Sequence, residues 1–326
     1  LSPETSLPGP EVSILFANWN GRELLRQAIL SVRQKTAGVV YEIIVVDDGS
    51  TDGSVEMIRS EFPEIHLLVN ETNLGFARAN NVGITIAQGK YVFLLNTDTL
   101  FEHDAIKVCA DFLDANPEVA ICGCWLKSVD GSSQVSFGNF PSFHQALVDA
   151  FFLNDLFPNA HLPKRGAFPD ASMTAPVEVD YVTGAAIMIR KSLIDEIGLF
   201  DELYRMYSEE TDLCYRVRHT ARKKVYFLPG AKVIHLGGMS LRNMRKYQVQ
   251  LMYSSYHKFL KKYHGSLYSL ATRILYAWQY FVKMIVRFVR YIVSSGPGRQ
   301  EKRKHLYLAW YVVRYSLVPD ERFSGQ

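Results

Sequence analysis

Carboxylates stand where the apolar runs of this chain stop. Asp47 and Asp48 close the run Tyr41–Asp47, Asp98 follows 91–96, and Asn18 ends Val12–Asn18. Acids so placed can accept hydrogen bonds from a nucleobase or ribose, or hold a hard divalent cation that bridges a diphosphate. Aspartates also start turns and cap helices. That reading accounts for Asp52 and serves equally for Asp48, and a cap at Asp98 would look the same as a cation ligand. A second group, Ser208-Glu209-Glu210-Thr211-Asp212, opens a helical pattern. Its acids either compensate the positive end of the helix dipole or supply a general base that the same dipole keeps ionised. His235 ends a short apolar strand before Gly237-Gly238 and, taken alone, reads as a structural hydrogen-bonding group.

These residues need a scaffold, and the first 130 residues supply one by alternating strand and helix patterns. Val12–Asn18 is a strand; Leu24, Leu25, Ala28, Ile29 and Val32 then recur at helical spacing. Tyr41–Asp47 is a strand closed by the turn residues 48–53, and Ser54 can cap the helix beyond. Strands at 66–70, 91–96 and 119–126 alternate with helices at 75–87 and 105–113. The alternation implies an α/β fold with a mostly parallel sheet covered by helices on both faces. Ligands bind such sheets beyond the carboxyl ends of the strands, where Asn18, Asp47, Asp48 and Asp98 fall. Residues 131–180, with Pro141, Pro158, Pro163, Pro169 and Pro176, read as loops and short helices over the sheet edge. Order returns with a strand at 185–190, a helix at 208–219 and short strands at 224–228 and 232–236.

Several classes drop out. There is no GxxxxGK[ST] loop, no GxGxxG after the first strand and no GxSxG elbow. The 326 residues are 48% hydrophobic and 21% charged, a globular composition. Cys109, Cys122, Cys124 and Cys214 show no CxxC spacing, which argues against a structural zinc or a disulfide framework and for a reducing compartment. Residues 1–10 lack the basic and apolar regions of a signal peptide, so none is expected.

Taken in order, the motifs carry more than any one of them. Val45-Val46-Asp47-Asp48-Gly49-Ser50-Thr51-Asp52-Gly53-Ser54, Asn73-Leu74-Gly75-Phe76-Ala77-Arg78-Ala79-Asn80-Asn81 and Phe93-Leu94-Leu95-Asn96-Thr97-Asp98 resemble the family 2 inverting glycosyltransferases. Val182-Thr183-Gly184-Ala185-Ala186, Gly198-Leu199-Phe200-Asp201-Glu202, Glu209-Glu210-Thr211-Asp212-Leu213-Cys214-Tyr215-Arg216 and Val233-Ile234-His235 agree, and the order is similar to the rhamnosyltransferase-like branch. The resemblance covers 11–240. It implies a GT-A fold, a dTDP- or UDP-linked sugar donor, with dTDP-L-rhamnose first, and a single inverting displacement. It also implies donor contacts at Asn18, Asp47, Asp48, Arg78, Asn80, Asn96, Asp98 and Gly184, and Mg²⁺ or Mn²⁺ at Asp98 and His235. Asn96 stands where the family's metal motif has its first acid. The base falls in the cluster Glu209, Glu210 and Asp212, at Glu210 where the family carries Asp.

The remaining 241–326 differ in kind. They hold 16 Lys and Arg against 3 Asp and Glu, while the whole chain nets +3, so the body is acidic and the tail basic. Seventeen aromatic residues in the tail argue against a solvated arm. On a helix through 267–293, Arg273, Tyr276, Tyr280, Lys283, Arg287 and Arg290 form one stripe, and Ile274, Trp278, Phe281, Ile285, Val289 and Ile292 lie on other faces. The pattern is that of an interfacial helix, or of a helix packed on the body. Lys302-Arg303-Lys304 and Trp310-Tyr311 suggest a second surface-seeking element. The broad apolar face argues against nucleic acid. The tail is therefore expected to be a membrane-associating region on an anionic bilayer, at the cytoplasmic face of a bacterial inner membrane. The resemblance implies that it would serve a polyprenyl-diphosphate-linked glycan acceptor in surface polysaccharide synthesis, in the manner of O-antigen. A nucleotidyltransferase and a non-catalytic glycan-binding module of the same fold are the alternatives.

Overall fold

The computed structural model describes residues 9–157, 160, 162, 166–237, 245–293, 310, 312–314 and 316. The chain divides into two compact units. One comprises Leu1–Phe140, Gly166–Arg205 and Glu209–Ser240; the other comprises Pro141–Arg165, Met206–Ser208 and Leu241–Gln326.

The first unit is a mixed sheet between two helical layers. Strands β1 (Val12–Asn18), β2 (Tyr41–Asp47), β3 (His66–Val69) and β4 (Tyr91–Leu95) alternate with helices α1 (Arg22–Lys35), α2 (Ser54–Glu61) and α3 (Phe76–Ile86). There follow β5 (Thr99–Phe101), α4 (Ala105–Ala115), β6 (Val119–Lys127) and β7 (Phe137–Gly138). After the segment that belongs to the second unit come β8 (Val177–Glu178), β9 (Tyr181–Val182), β10 (Ala186–Arg190), α7 (Lys191–Ile197), α8 (Glu209–His219) and β11 (Lys224–His235). The main sheet runs β3-β2-β1-β4-β10-β6-β11-β5, with β8 beside β11. The pleat sorts its side chains to two cores. Val12, Ile14 and Phe16 of β1 join Leu25, Ile29 and Val32 of α1 on one face. Leu15 joins Ala77 and Ile84 of α3 and Leu213 and Val217 of α8 on the other. Burial on both faces is why β1 and β4 read as continuous apolar runs.

Two expectations are refined. The sheet is mostly parallel, with β3, β2, β1, β4, β6 and β11 running one way, but β10 runs antiparallel between β4 and β6. β5 and β8 are antiparallel to β11. The strand order turns back at β1, with β2 on one side and β4 on the other, so the crevice for a ligand opens between the ends of β1 and β4. The two strands expected at 224–228 and 232–236 are one, β11. Its pairing with β6 jumps between Leu228 and Lys232, and a bulge at Pro229-Gly230-Ala231 lets the strand continue past a proline.

The second unit contains α5 (Phe143–Ala150), α6 (Leu153–Leu156), α9 (Arg245–His264) and α10 (Ser266–Val293). α10 packs on α9 and α5 by its polar side. Thr272, Tyr276 and Gln279 are buried, Gln279 Nε2 donates to Asp149 O at 2.7 Å, and the hydroxyls of Tyr256 and Tyr276 meet at 3.1 Å. Arg273 Nε donates to Ser316 O, and the Lys283 ammonium lies over the Phe152 and Tyr280 rings. The opposite stripe, Ile274, Trp278, Phe281, Ile285, Val289 and Ile292, is exposed, with Trp278 49% and Ile292 61% accessible. The described helices include none long and apolar enough to cross a membrane. Lys302-Arg303-Lys304 and Tyr311 lie outside the described residues, as do the side chain of Arg290 and Gly238; Trp310 is exposed.

Candidate active site

The ends of β1 and β2 are tied together by their own polar groups. Asn18 and Asp47 are partners in the parallel ladder, and Asn18 Nδ2 donates to Asp47 Oδ2 at 2.8 Å. The other Asp47 oxygen accepts from Ser50 N at 2.8 Å. Asp48 accepts from Asn70 Nδ2, Leu74 N and Gly75 N, each at 2.9 Å, and so anchors the loop before α3. Gly49 holds φ at +77°, and a Cβ there would meet the Thr72 backbone at 3.0 Å. Asn18 Oδ1 is buried without a hydrogen-bond partner among the described residues, which leaves one acceptor at this edge of the crevice. The space over Gly21 is shared by Asn18 Oδ1 and Thr97 Oγ1, which links the ends of β1 and β4.

Asp98 and His235 meet through β5, an element the sequence pattern missed. β5 pairs antiparallel with β11, His235 opposite Thr99, and Leu236 N donates to Asp98 O at 2.8 Å. His235 Nε2 then lies 3.3 Å from Asp98 Oδ1. Two ligands at right angles, each ~2.1 Å from one cation, stand roughly 3 Å apart, so this oxygen and nitrogen fit a shared Mg²⁺ or Mn²⁺. Among the described residues no three His, Cys, Asp or Glu side chains form a metal-binding group. Asp98 and His235 are the pair of such side chains that meets at this edge of the sheet.

Gly184 links the β4 end to the acidic helix. Asn96 N donates to Ala185 O at 3.0 Å, and a Cβ on Gly184 would stand 3.5 Å from Glu210 Cβ. The three acids of α8 have unlike surroundings. Glu209 is 5% accessible and its Oε2 has no hydrogen-bond partner among the described residues. Burial, and then the charge of Glu210, push its carboxyl well above the ordinary range. Asp212 is fully buried, and its Oδ2 accepts from Arg216 Nε at 2.8 Å. Glu210 is half-buried and accepts from Thr211 Oγ1 at 3.4 Å. Tyr207 and Ser208, just before the helix, both hold left-handed φ, +66° and +67°, a conformation that costs strain in residues with a Cβ.

Arg78 and Asn80 are engaged elsewhere: Arg78 pairs with Glu202 at 2.8 Å, and Asn80 Nδ2 donates to Phe76 O within α3. Three residues not singled out from the sequence also organise the site. Asn81 donates to Phe200 O and accepts from Phe200 N, each at 2.9 Å, and so ties α3 to the 198–202 motif. Arg216 binds the carbonyls of Ile197 and Leu199. Gln134 bonds His235. Only Arg216 had a local signal, four residues after Asp212. All four cysteines are buried and free.

The profile described as glycosyl transferase family 2 matches residues 13–198, more than half of the chain. The chain belongs to that family. The chain is 27% identical over 212 residues to the N-acetylglucosaminyl-diphospho-decaprenol L-rhamnosyltransferase of Mycobacterium tuberculosis, a match covering 59% of this chain and 66% of that one. It is 34% identical over 199 residues to an uncharacterized glycosyltransferase of Haemophilus influenzae, covering 56% of this chain and 79% of the other. The match to the mycobacterial enzyme thus spans just under two thirds of that enzyme's length. The mannosyltransferase of Pyrobaculum calidifontis, solved with GDP-Man and Mn²⁺, superposes with a TM-score of 0.56 over 94% of this chain and 86% of its own, at 14% identity. GalNAc-T7, solved with UDP, GalNAc and Mn²⁺, superposes with a TM-score of 0.55 over 78% of this chain and 51% of its own, at 16% identity. Both share the GT-A type of fold.

Proposed function

We propose that this glycosyltransferase moves L-rhamnose, with inversion, from dTDP-L-rhamnose to a polyprenyl-diphosphate-linked glycan in bacterial surface polysaccharide synthesis. The observation that carries the transfer reading is the line of groups along the crevice: the Asp98–His235 pair, the Asn96–Ala185 hydrogen bond, and Glu210 against Gly184. The rhamnosyl donor and the lipid-linked acceptor rest on the mycobacterial relative.

Each residue has work of its own. Asn18, Asp47 and Asp48 shape the ledge for the nucleoside. Asp98 and His235 would hold Mg²⁺ or Mn²⁺, which would supply positive charge to offset the growing charge of the leaving diphosphate. Glu210 takes the proton of the acceptor hydroxyl as its oxygen bonds to the anomeric carbon and the bond from that carbon to the diphosphate oxygen breaks. The nucleoside diphosphate departs, and one displacement inverts the centre without a covalent glycosyl-enzyme. Glu209 is buried, which raises its carboxyl and closes it off from an acceptor hydroxyl, and Asp212 is occupied by Arg216, so the base role falls to Glu210.

Residues 11–240 carry the catalytic domain and 241–326 the membrane-associating one. The exposed apolar stripe of α10 and the 16 basic residues of the tail fit an anionic bilayer at the cytoplasmic face of the inner membrane, with the protein attached peripherally. The test is release of dTDP from dTDP-L-rhamnose with Mn²⁺ and a polyprenyl-diphosphate-N-acetylglucosamine acceptor. Asp98→Asn should lower transfer by about 10²-fold or more while the fold persists. A UDP- or GDP-sugar used in preference would overturn the donor, and full activity of Asp98→Asn in EDTA would overturn the metal role.

A further inference from the structure

His235 offers its Nε2 to Asp98, but an imidazole nitrogen can bind a cation only if it carries no proton. Which nitrogen does is set by the partner of the other. Nδ1 lies 2.8 Å from Gln134 Oε1. The orientation of that amide is set by further contacts, because Gln134 Nε2 lies 2.7 Å from the carbonyl oxygen of His235 itself and 3.0 Å from Ser128 Oγ. A carbonyl oxygen only accepts, so the amide nitrogen must face it. The amide oxygen then faces Nδ1, and Nδ1 must donate. Gln134 itself is held by its backbone, N–H to Leu126 O at 2.8 Å, on the segment that leaves β6.

We propose that Gln134 is a positioning residue for the cation seat: gripping His235 at both its ring Nδ1 and its backbone carbonyl, it holds the imidazole in the Nδ1–H tautomer, with the Nε2 lone pair turned to the point shared with Asp98 Oδ1. The proposal rests on the reading of Asp98 and His235 as the cation's ligands. It assigns a task to a residue that neither touches the reacting atoms nor carries a charge. Without Gln134 the ring is free to protonate at Nε2 instead. Nε2–H would then donate to Asp98, 3.3 Å away, and the pair would close on itself in place of opening to a cation.

The experiment uses the full chain with ¹⁵N-labelled histidine at pH 8, above the ordinary imidazole range. The long-range ¹H–¹⁵N spectrum should show His235 with a protonated Nδ1 and a bare Nε2. Mn²⁺ alone is then titrated and read by paramagnetic broadening of the His235 ring signals. Gln134→Met keeps the length of the side chain and removes both contacts; it should show Nε2–H and need about tenfold more Mn²⁺ for equal broadening. Gln134→Glu restores an acceptor for Nδ1–H, though no donor for the His235 carbonyl, and should return the Nδ1–H tautomer, which a purely space-filling role would not require. An Nε2–H tautomer in the wild type, or a Gln134→Met protein that binds Mn²⁺ as the wild type does, overturns the proposal. A wild type with bare Nε2 that shows no Mn²⁺ broadening overturns the cation reading of Asp98 and His235, and the purpose given to Gln134 falls with it.

Discussion

Asp212, fully buried, accepts from Arg216 Nε at 2.8 Å, one helical turn on. The guanidinium also reaches Ile197 O at 2.7 Å and Leu199 O at 2.8 Å. The pair therefore fastens α8 to the chain leaving α7. The contact with Arg216 gives this acid an architectural task, and its sequence position beside Glu209 and Glu210 makes it a candidate base as well. Asp212→Asn leaves Arg216 without its counter-charge. It should destabilise the protein by about 3 kcal/mol, the order expected when one partner of a buried pair is removed. Urea denaturation measures this. Activity per folded molecule should stay near wild type; a tenfold loss in fully folded protein would make Asp212 the base.

Glu210 is the acid of the cluster that remains half-buried, beside Gly184. Glu210→Gln keeps its size and hydrogen bonding but cannot take a proton. Transfer should fall by ~10²–10⁴-fold, while donor affinity, read by calorimetry, changes little. Unaltered turnover would take the base role away from Glu210.

How much of this was legible beforehand depends on where the information lies. The strands β1, β2 and β4 and the acids at their ends were readable because each is a local apolar run closed by a polar residue. β5 was not, since Thr99–Phe101 is strand only through its pairing with β11. Gln134 left no signal, because its partner His235 is 101 residues away. Glu209 and Glu210 are adjacent acids whose directions differ by about 100° on a helix, so only packing decides which is buried. In α10 the two stripes were visible as a period, but their assignment was not. The side that packs on α9 and α5 is held by hydroxyl, amide and ring contacts of Thr272, Tyr276 and Gln279, while the more apolar side is left open.

The raised pKa of Glu209 gives stability a sign with pH. The folded state binds the proton more tightly than the unfolded chain, so the stabilising contribution is fully present below the unfolded pKa, about 4.3. It is lost as pH rises from there toward the folded value, at up to about 1.4 kcal/mol per pH unit. Glu209→Gln removes the titration. Its melting temperature relative to wild type should therefore climb between pH 5 and pH 8. A difference that stays constant over that range would mean Glu209 ionises freely in the folded protein.

The exposed stripe of α10 makes the membrane reading quantitative. Ile274, Trp278, Phe281, Ile285, Val289 and Ile292 recur at steps of three or four and share one side of the helix. Lys283 is partly taken up by the Phe152 and Tyr280 rings, so apolar burial should outweigh charge in attachment. Each large side chain already half-covered in the free protein adds about 1 kcal/mol on entering the bilayer boundary. Trp278→Ser/Phe281→Ser/Ile285→Ser should then lose on the order of 10²-fold in partition to anionic vesicles. Lys283→Gln/Arg287→Gln should lose less, roughly 1 kcal/mol per charge removed near the surface. Salt should weaken wild-type binding only in part, because screening leaves the apolar contribution intact. Co-sedimentation with vesicles containing phosphatidylglycerol gives the partition directly. Equal binding by the serine variant and the wild type would remove α10 from the attachment. No binding by either, together with a concentration-dependent dimer in sedimentation, would give the stripe to a second copy of the chain instead of to lipid.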